Sequence, residues 1–393
     1  MIKLIKNVKV YSPYNLGIKD VLILDDKIAK IADNIPLPSK DFYEVEVIDA
    51  CNQLLVPGFI DLHIHIIGGG GEGGFTTRTP EIQLTKITSS AVTTVVGCLG
   101  TDGTTRSLQG LLAKSRALEI EGINCLIWTG CYEFPTRTIT KSCRDDIILI
   151  DKVIGAGEIA IADNRGSNPS NNEIERLVLE CRVGGMLASK CGILHVHVGD
   201  EPEGIKILQE IISSKKILAN NLLPTHINRR MSLLFQSINY IKSGGFIDLT
   251  TGIYTTDADK DSIDASYACK YLIDNGCSIN NITMSSDGNG SMPLFNKEGE
   301  LDSIGVGSIS TNFVEFMKLI KTYKFPIEEA LLPFTLNPSK LLKLNYTGSI
   351  GVGKQADLVI LNKDLSIDYV LCKGKIMVQN GLPVKFSTFE KNN

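Results

Sequence analysis

The chain has 393 residues, with 40 Lys+Arg against 44 Asp+Glu, for a formal charge of −4. That near balance excludes an electrostatic grip on nucleic acid or an anionic membrane as the main activity, and no run approaches the roughly 18 apolar residues of a membrane span. The composition, 43% hydrophobic and 21% charged, is ordinary for a globular protein, and lysines interrupt the apolar start Met1-Ile2-Lys3-Leu4-Ile5-Lys6, so a soluble, uncleaved, cytoplasmic chain is expected.

Residues 1–56 open with short β-like runs, Val8–Tyr11, Val21–Leu24, Lys27–Ile31 and Glu44–Ile48, separated by turn residues. One unit then repeats: an apolar or β-branched run, a polar or glycine end, and an amphipathic helical stretch. The runs are Phe59–Ile66, Val92–Leu99, Ile123–Gly130, Glu158–Ala162, Ile193–Val198, Leu222–Ile227, Phe246–Thr251 and Ile282–Ser286. Helical patterns fall between them at Leu111–Glu121, Glu173–Cys181, Gly204–Ser213 and Met231–Ser243. The spacing of about 25 to 35 residues is that of a strand–helix unit, and eight in a row favour an α/β fold closed as a parallel (β/α)8 TIM barrel over an open sheet. An open dinucleotide-binding sheet would show Gly-x-Gly-x-x-Gly before a helix. Here Gly68–Gly71 follows a His-x-His strand and leads to Glu72, which reads as a turn beside a ligand or as a plain flexible loop. The chain closes with the runs Ala356–Leu361, Tyr369–Cys372 and Ile376–Val378. Neither end is long enough for a core of its own, so both termini are expected to build one small β-sandwich domain, 1–56 with 345–393, beside a barrel over 57–344.

The ten cysteines include no Cys-x-x-Cys pair, and most are expected to be buried small hydrophobes in a reducing cytosol. The five histidines are more informative. His63-Ile64-His65 places two imidazoles on one strand face, because side chains i and i+2 point the same way. His197 and His226 end the fifth and sixth candidate strands, Asp287 ends the eighth, and Glu158 starts the fourth. Barrel enzymes gather catalytic groups at the C-terminal mouth, and four imidazoles with two carboxylates suit two zinc ions per chain sharing a bridging carboxylate.

The segments Pro57–His65 and Gly353–Val359 resemble the opening strand and closing segment of the amidohydrolase superfamily. Gly68–Glu72, Thr76–Glu81, Gly100-Thr101-Asp102, Leu223–Arg229 and above all Ser285–Ser291 resemble the isoaspartyl dipeptidase family within it, over essentially the full length. The resemblance implies a first metal held by His63, His65 and Asp287, and a second by His197 and His226. His195, two residues before His197, has no matching role as a ligand. The family's usual fourth-strand bridge is a carbamylated lysine. Here the aligned position is Glu158, a shorter monoanion with two oxygens, which related superfamily members also use; Lys152, placed by the pattern on the preceding helix, is the nearest lysine. A glutamate bridge would make the site independent of bicarbonate.

The same resemblance implies zinc-supplied hydroxide attacking an isopeptide carbonyl, with Asp287 carrying the proton to the leaving nitrogen. It implies that Tyr132, at the end of the third strand, steadies the oxyanion. Glu72 would take the substrate's α-amino group, Arg165 and Arg229 its carboxylates, and Thr101 and Ser291 lesser polar contacts, whereas Arg230 reads as a solvated charge. The implied partners are a small dipeptide and further copies of the chain in a homo-oligomer. Two other readings stand beside it: a binuclear zinc amidohydrolase of the dihydroorotase or hydantoinase kind acting on a cyclic amide, and a non-catalytic scaffold.

Overall fold

Residues 2–37, 44–214, 217–255, 261–295 and 301–390 are described by a computed structural model. The N-terminal strands are β1 (Ile2–Tyr11), β2 (Asn15–Leu24), β3 (Lys27–Ala32), β4 (Val45–Asp49) and β5 (Leu54–Pro57). Eight further strands follow: β6 (Phe59–Ile64), β7 (Val92–Gly97), β8 (Asn124–Thr129), β9 (Val153–Ile161), β10 (Ile193–Val198), β11 (Leu222–Thr225), β12 (Ile247–Thr250) and β13 (Ile282–Ser285). A hairpin, β14 (Ser291–Phe295) and β15 (Leu301–Val306), precedes the C-terminal β16 (Leu358–Leu361), β17 (Ile367–Cys372), β18 (Lys375–Gln379) and β19 (Leu382–Pro383).

Strands β6 to β13 form the TIM-type barrel. Nearly all their residues are buried, as parallel strands covered on both faces require. Strands β6 to β11 are hydrogen-bonded in chain order, and β12 pairs with β13. Backbone bonds past the strand ends close the ring from β13 to β6: Asp287 N–H donates to His63 O (3.1 Å) and His65 N–H to Gly288 O (2.9 Å). Between β11 and β12 a side chain does this work, as Asn228 accepts from Thr250 N and donates to Thr250 O at 2.8 and 3.0 Å.

The outer helices begin and stop for local reasons. Helix Leu108–Glu121 starts on Ser107, whose hydroxyl accepts from Gly110 N, and ends at Gly122 with φ 125°. Helix Asn171–Ala188 opens with a Ser170/Glu173 capping box and runs past Cys181, because Gly184 and Gly185 let it lie against the backbones of Arg144 and Gly192.

Strand β9 corrects the sequence reading. It begins at Val153, so Glu158 lies well inside it and not at its start. The small residues Gly155-Ala156-Gly157 resemble a turn, but their size makes room for neighbours: a Cβ on Gly155 would sit 2.3 Å from Ile193 O and 2.7 Å from the Trp128 ring. Lys152 lies in the turn after helix Cys143–Leu149, not on it, and pairs with Glu119.

The strands from the two ends are hydrogen-bonded as one nine-stranded sheet, in which β5 bridges β1 and β16. Its far edge returns on itself, with Ile28 N donating to Lys354 O at 2.9 Å, so the sheet wraps a core of Val8, Val21, Ile23, Leu55, Leu358 and Ile360. Asp357 fastens it to the barrel. Its buried carboxylate accepts from Asn124 Nδ2 of β8 (2.8 Å), Thr347 Oγ1 (2.9 Å) and Lys373 N (2.9 Å), and its carbonyl accepts from Gly58 N (2.9 Å). Asp357→Ala strands three buried donors and is expected to cost about 3–5 kcal/mol. The urea midpoint should fall accordingly; an unchanged midpoint would contradict this fastening role.

Candidate active site

His63, His65, Glu158, His197, His226 and Asp287 meet inside the mouth of the barrel, all buried. Glu158 sits in the middle. Its Oε1 lies 3.2 Å from His63 Nε2 and 3.5 Å from His65 Nε2; its Oε2 lies 3.1 Å from His197 Nδ1 and 3.6 Å from His226 Nε2. Asp287 Oδ1 faces the first pair, 3.5 Å from His63 and 3.0 Å from His65. Burial works against the charge of Glu158, but the surrounding imidazoles, His63 first, overcome it and hold the carboxyl well below the usual range.

The donor set fits metal ions. His63 Nε2, His226 Nε2 and Asp287 Oδ1 are buried, have no hydrogen-bond partner and converge on common space. Two ligands about 2.1 Å from one zinc at a tetrahedral angle lie roughly 3.4 Å apart, close to the separations seen here.

Local backbone geometry aims these groups. In the register of β9 against β10, Leu194 faces Ala156 while Val196 faces Ile159, so β9 carries one extra residue at Gly157–Glu158. Such a bulge turns a side chain out of the regular alternation, here into the mouth. Only glycine fits at 157, because φ is 150° and a Cβ would sit 2.6 Å from His195 O. His226 and Asp287 lie just past β11 and β13 with left-handed φ of 63° and 52°, which strained residues adopt at functional sites. Thr250 Oγ1 holds His226 Nδ1 at 2.7 Å, leaving Nε2 to face the centre.

Segment 285–291 links the histidine–carboxylate cluster to an adjoining polar pocket. Ser286 bonds Asp61 under the His63 strand, and Asn289 Nδ2 donates to His65 O (3.0 Å) and Pro80 O (2.7 Å). Gly290 packs so closely that a Cβ would meet Asp287 Oδ1 and His65 Cδ2 at 2.8 Å. Ser291 Oγ then donates to Glu72 Oε1 at 2.9 Å, which Thr101 Oγ1 also reaches at 3.4 Å. Arg165 Nη1 lies 3.9 Å from the same oxygen, while Glu72 Oε2 is buried without a partner. The Gly68–Gly71 segment behind Glu72 is a packed turn, not a loose loop: Arg106 holds the carbonyls of Ile67, Gly69 and Thr79.

The pocket therefore unites Glu72, Thr101, Arg165 and Ser291. Arg229 lies past β11, with Nη1 3.4 Å from Asp200 Oδ2 and a buried Nε lacking a partner. Arg230 shares Asp200 and is half-exposed. Tyr132 stands three residues beyond the end of β8, not at it, and its hydroxyl lies 2.7 Å from His197 Nδ1. Burial, with Glu158 nearby, pushes its pKa well above 10, so it stays a proton donor. His195 stacks on Trp128 beneath His63, and burial, with His63, depresses it to about 3. Sequence reasoning missed Asp163, whose carboxylate accepts from Arg165 Nε (2.9 Å) and Nη2 (2.7 Å) and lies 2.9 Å from His197 Nε2. It also missed Arg106 and Thr250. Asp163 stands two residues before Arg165, and only that proximity could have pointed to it.

The amidohydrolase family profile matches residues 54–377. A β-aspartyl dipeptidase of Fervidobacterium islandicum AW-1, solved in complex with β-Asp-Leu dipeptide, is 43% identical, with a TM-score of 0.91 over 99% of this chain and 100% of its own. A second structure of β-aspartyl dipeptidase from that organism gives 42% identity and a TM-score of 0.89 over the same shares. A Listeria monocytogenes dihydroorotase is 22% identical over 89% of this chain and 87% of its own.

Glu158→Gln keeps the shape of the side chain but removes the anion from among four imidazoles. It is predicted to lower divalent-ion affinity by more than about 100-fold, beyond the effect of an outer-shell partner. Metal counted per chain after dialysis tests this, and content equal to the parent's would contradict it.

Proposed function

We propose, for a chain that belongs to the amidohydrolase family, that the substrate is a β-aspartyl dipeptide, hydrolysed at a centre of two zinc ions. His63, His65 and Asp287 would hold one ion, His197 and His226 the other, and Glu158 would give one oxygen to each. The observation that carries the substrate is Glu72. A carboxylate with one oxygen, Oε2, buried and unpartnered, and the other, Oε1, 3.9 Å from the Arg165 guanidinium, suits a ligand with both an ammonium and a carboxylate. The full-length likeness to a dipeptidase solved with β-Asp-Leu supports the same reading.

When bound, the two ions lower the pKa of a water to about 7, so hydroxide is available at neutral pH. The residues do the rest. Glu72, held by Ser291 and Thr101, fixes the α-ammonium; Arg165 and Arg229 take the carboxylates; together they set the side-chain carbonyl in the mouth. The Tyr132 hydroxyl donates to the oxygen of that carbonyl as negative charge builds on it. The water oxygen bonds to the carbonyl carbon while Asp287 accepts its proton, and Asp287 returns that proton to the nitrogen as the C–N bond breaks, giving free aspartate and the second amino acid. The sheet core is drawn entirely from residues 5–55 and 350–371, which supports a division into one domain of 1–56 with 345–393, as a small β-sandwich, and a barrel domain of 57–344.

Protein with its zinc counted is expected to cleave β-Asp-Leu but neither α-Asp-Leu nor a dihydropyrimidine. Glu72→Gln should lower kcat/KM for β-Asp-Leu by roughly 100-fold, the loss of a charge-assisted contact worth about 2–3 kcal/mol. Cleavage of the dihydropyrimidine, untouched by Glu72→Gln, would favour the cyclic-amide reading.

A further inference from the structure

Asp163 touches two parts of the site that have separate tasks. Its carboxylate is buried and surrounded by donors. Oδ1 accepts from Arg165 N (2.8 Å) and Nε (2.9 Å), while Oδ2 accepts from Arg165 Nη2 (2.7 Å) and lies 2.9 Å from His197 Nε2. A carboxylate in this setting only accepts, so the proton of the neutral His197 ring belongs on Nε2. Nδ1, which faces Glu158 Oε2 at 3.1 Å and the Tyr132 hydroxyl at 2.7 Å, is then the nitrogen left to bind an ion held between it and Glu158. His197 is thus turned opposite to His63, His65 and His226, which face Glu158 through Nε2. The same carboxylate grips the fork of Arg165 along Nε and Nη2, leaving Nη1 as the edge turned toward Glu72.

We propose that Asp163 is a positioning residue that holds His197 in the Nε2–H tautomer for the metal centre and, with the same carboxylate, sets the edge of Arg165 that meets the substrate. The inference rests on the metal centre proposed above. It has a consequence that a merely structural role does not share. In Asp163→Asn the amide oxygen stays with Arg165 N and Nε, so the amide nitrogen, a donor, replaces Oδ2, loses the bond from Arg165 Nη2 and points at His197 Nε2. That nitrogen must then accept, the ring proton moves to Nδ1, and the lone pair meant for the ion is blocked. Asp163→Ala removes the group and leaves His197 free to adopt either tautomer. The near-isosteric Asn variant should therefore bind metal worse than Ala, the reverse of the order expected if Asp163 only filled space.

The test is zinc affinity by chelator competition and zinc per chain by elemental analysis, on the full-length parent, D163N and D163A, with KM for β-Asp-Leu alongside. The parent should hold two ions. D163N should keep one and bind the other about 100-fold or more weakly, and D163A should lose only about 10-fold, the span of outer-shell effects. KM should rise in both as Arg165 loses its anchor. Parental affinity in D163N, or an equal or larger loss in D163A, overturns the proposal while leaving the metal centre standing. A parent that binds no zinc overturns both. Should neither variant fold, 15N shifts of His197 in the zinc-free parent decide: a proton on Nε2, with or without one on Nδ1, supports the proposal, and a proton on Nδ1 alone overturns it.

Discussion

A single buried carboxylate, Glu158, organises the mouth of the barrel. A charge taken out of water costs several kcal/mol even after relaxation, and it persists only where partners replace the lost hydration. Glu158 has four imidazoles within 3.6 Å, two at each oxygen, and among the described residues no other carboxylate is so placed. Much of the surrounding architecture supports that arrangement. The β9 bulge carries the side chain inward, glycine at 157 permits the close pass beneath His195 O, and Thr250 and Asp163 orient the rings on the Oε2 side.

The second constraint is continuity between chemistry and recognition. Segment 285–291 contributes Asp287 to the cluster, braces the backbone at His65, and ends on the Ser291 hydroxyl that holds Glu72. Asp163 makes the corresponding link on the other side, from His197 to Arg165. A shift of one side of the site is therefore felt by the other, which is how a rigid barrel places a reacting carbonyl within the sub-ångström tolerance that catalysis needs. It also explains why small residues crowd this region: Gly68, Gly157 and Gly290 each mark a place where two backbones or a backbone and a side chain of the cluster nearly touch.

What the sequence disclosed follows from the range of the interactions. His63 and His65 share a face because strand periodicity is local, and five histidines drawn mostly to strand ends are visible without any contact map. The repeated strand–helix units disclosed the barrel for the same reason. Glu158 was placed at the start of the fourth strand, since nothing local shows that Gly155-Ala156-Gly157 belongs to that strand until the Trp128 ring and Ile193 are known to press on it. Asp163 was invisible as a functional group, because its role lies in hydrogen bonds to a histidine on the next strand. The joining of β5 to β16 was equally hidden: strand pairing between distant parts of a chain leaves no periodic trace, so the terminal runs were legible as strands but their order in one sheet was not.

The most direct test of the account is anomalous diffraction at the zinc edge from crystals of the zinc-loaded protein. Two peaks about 3.5–4 Å apart, one on each side of the Glu158 carboxylate, are the predicted result. A single peak, or a pair that does not share Glu158, would contradict the claim that this glutamate joins two metal sites.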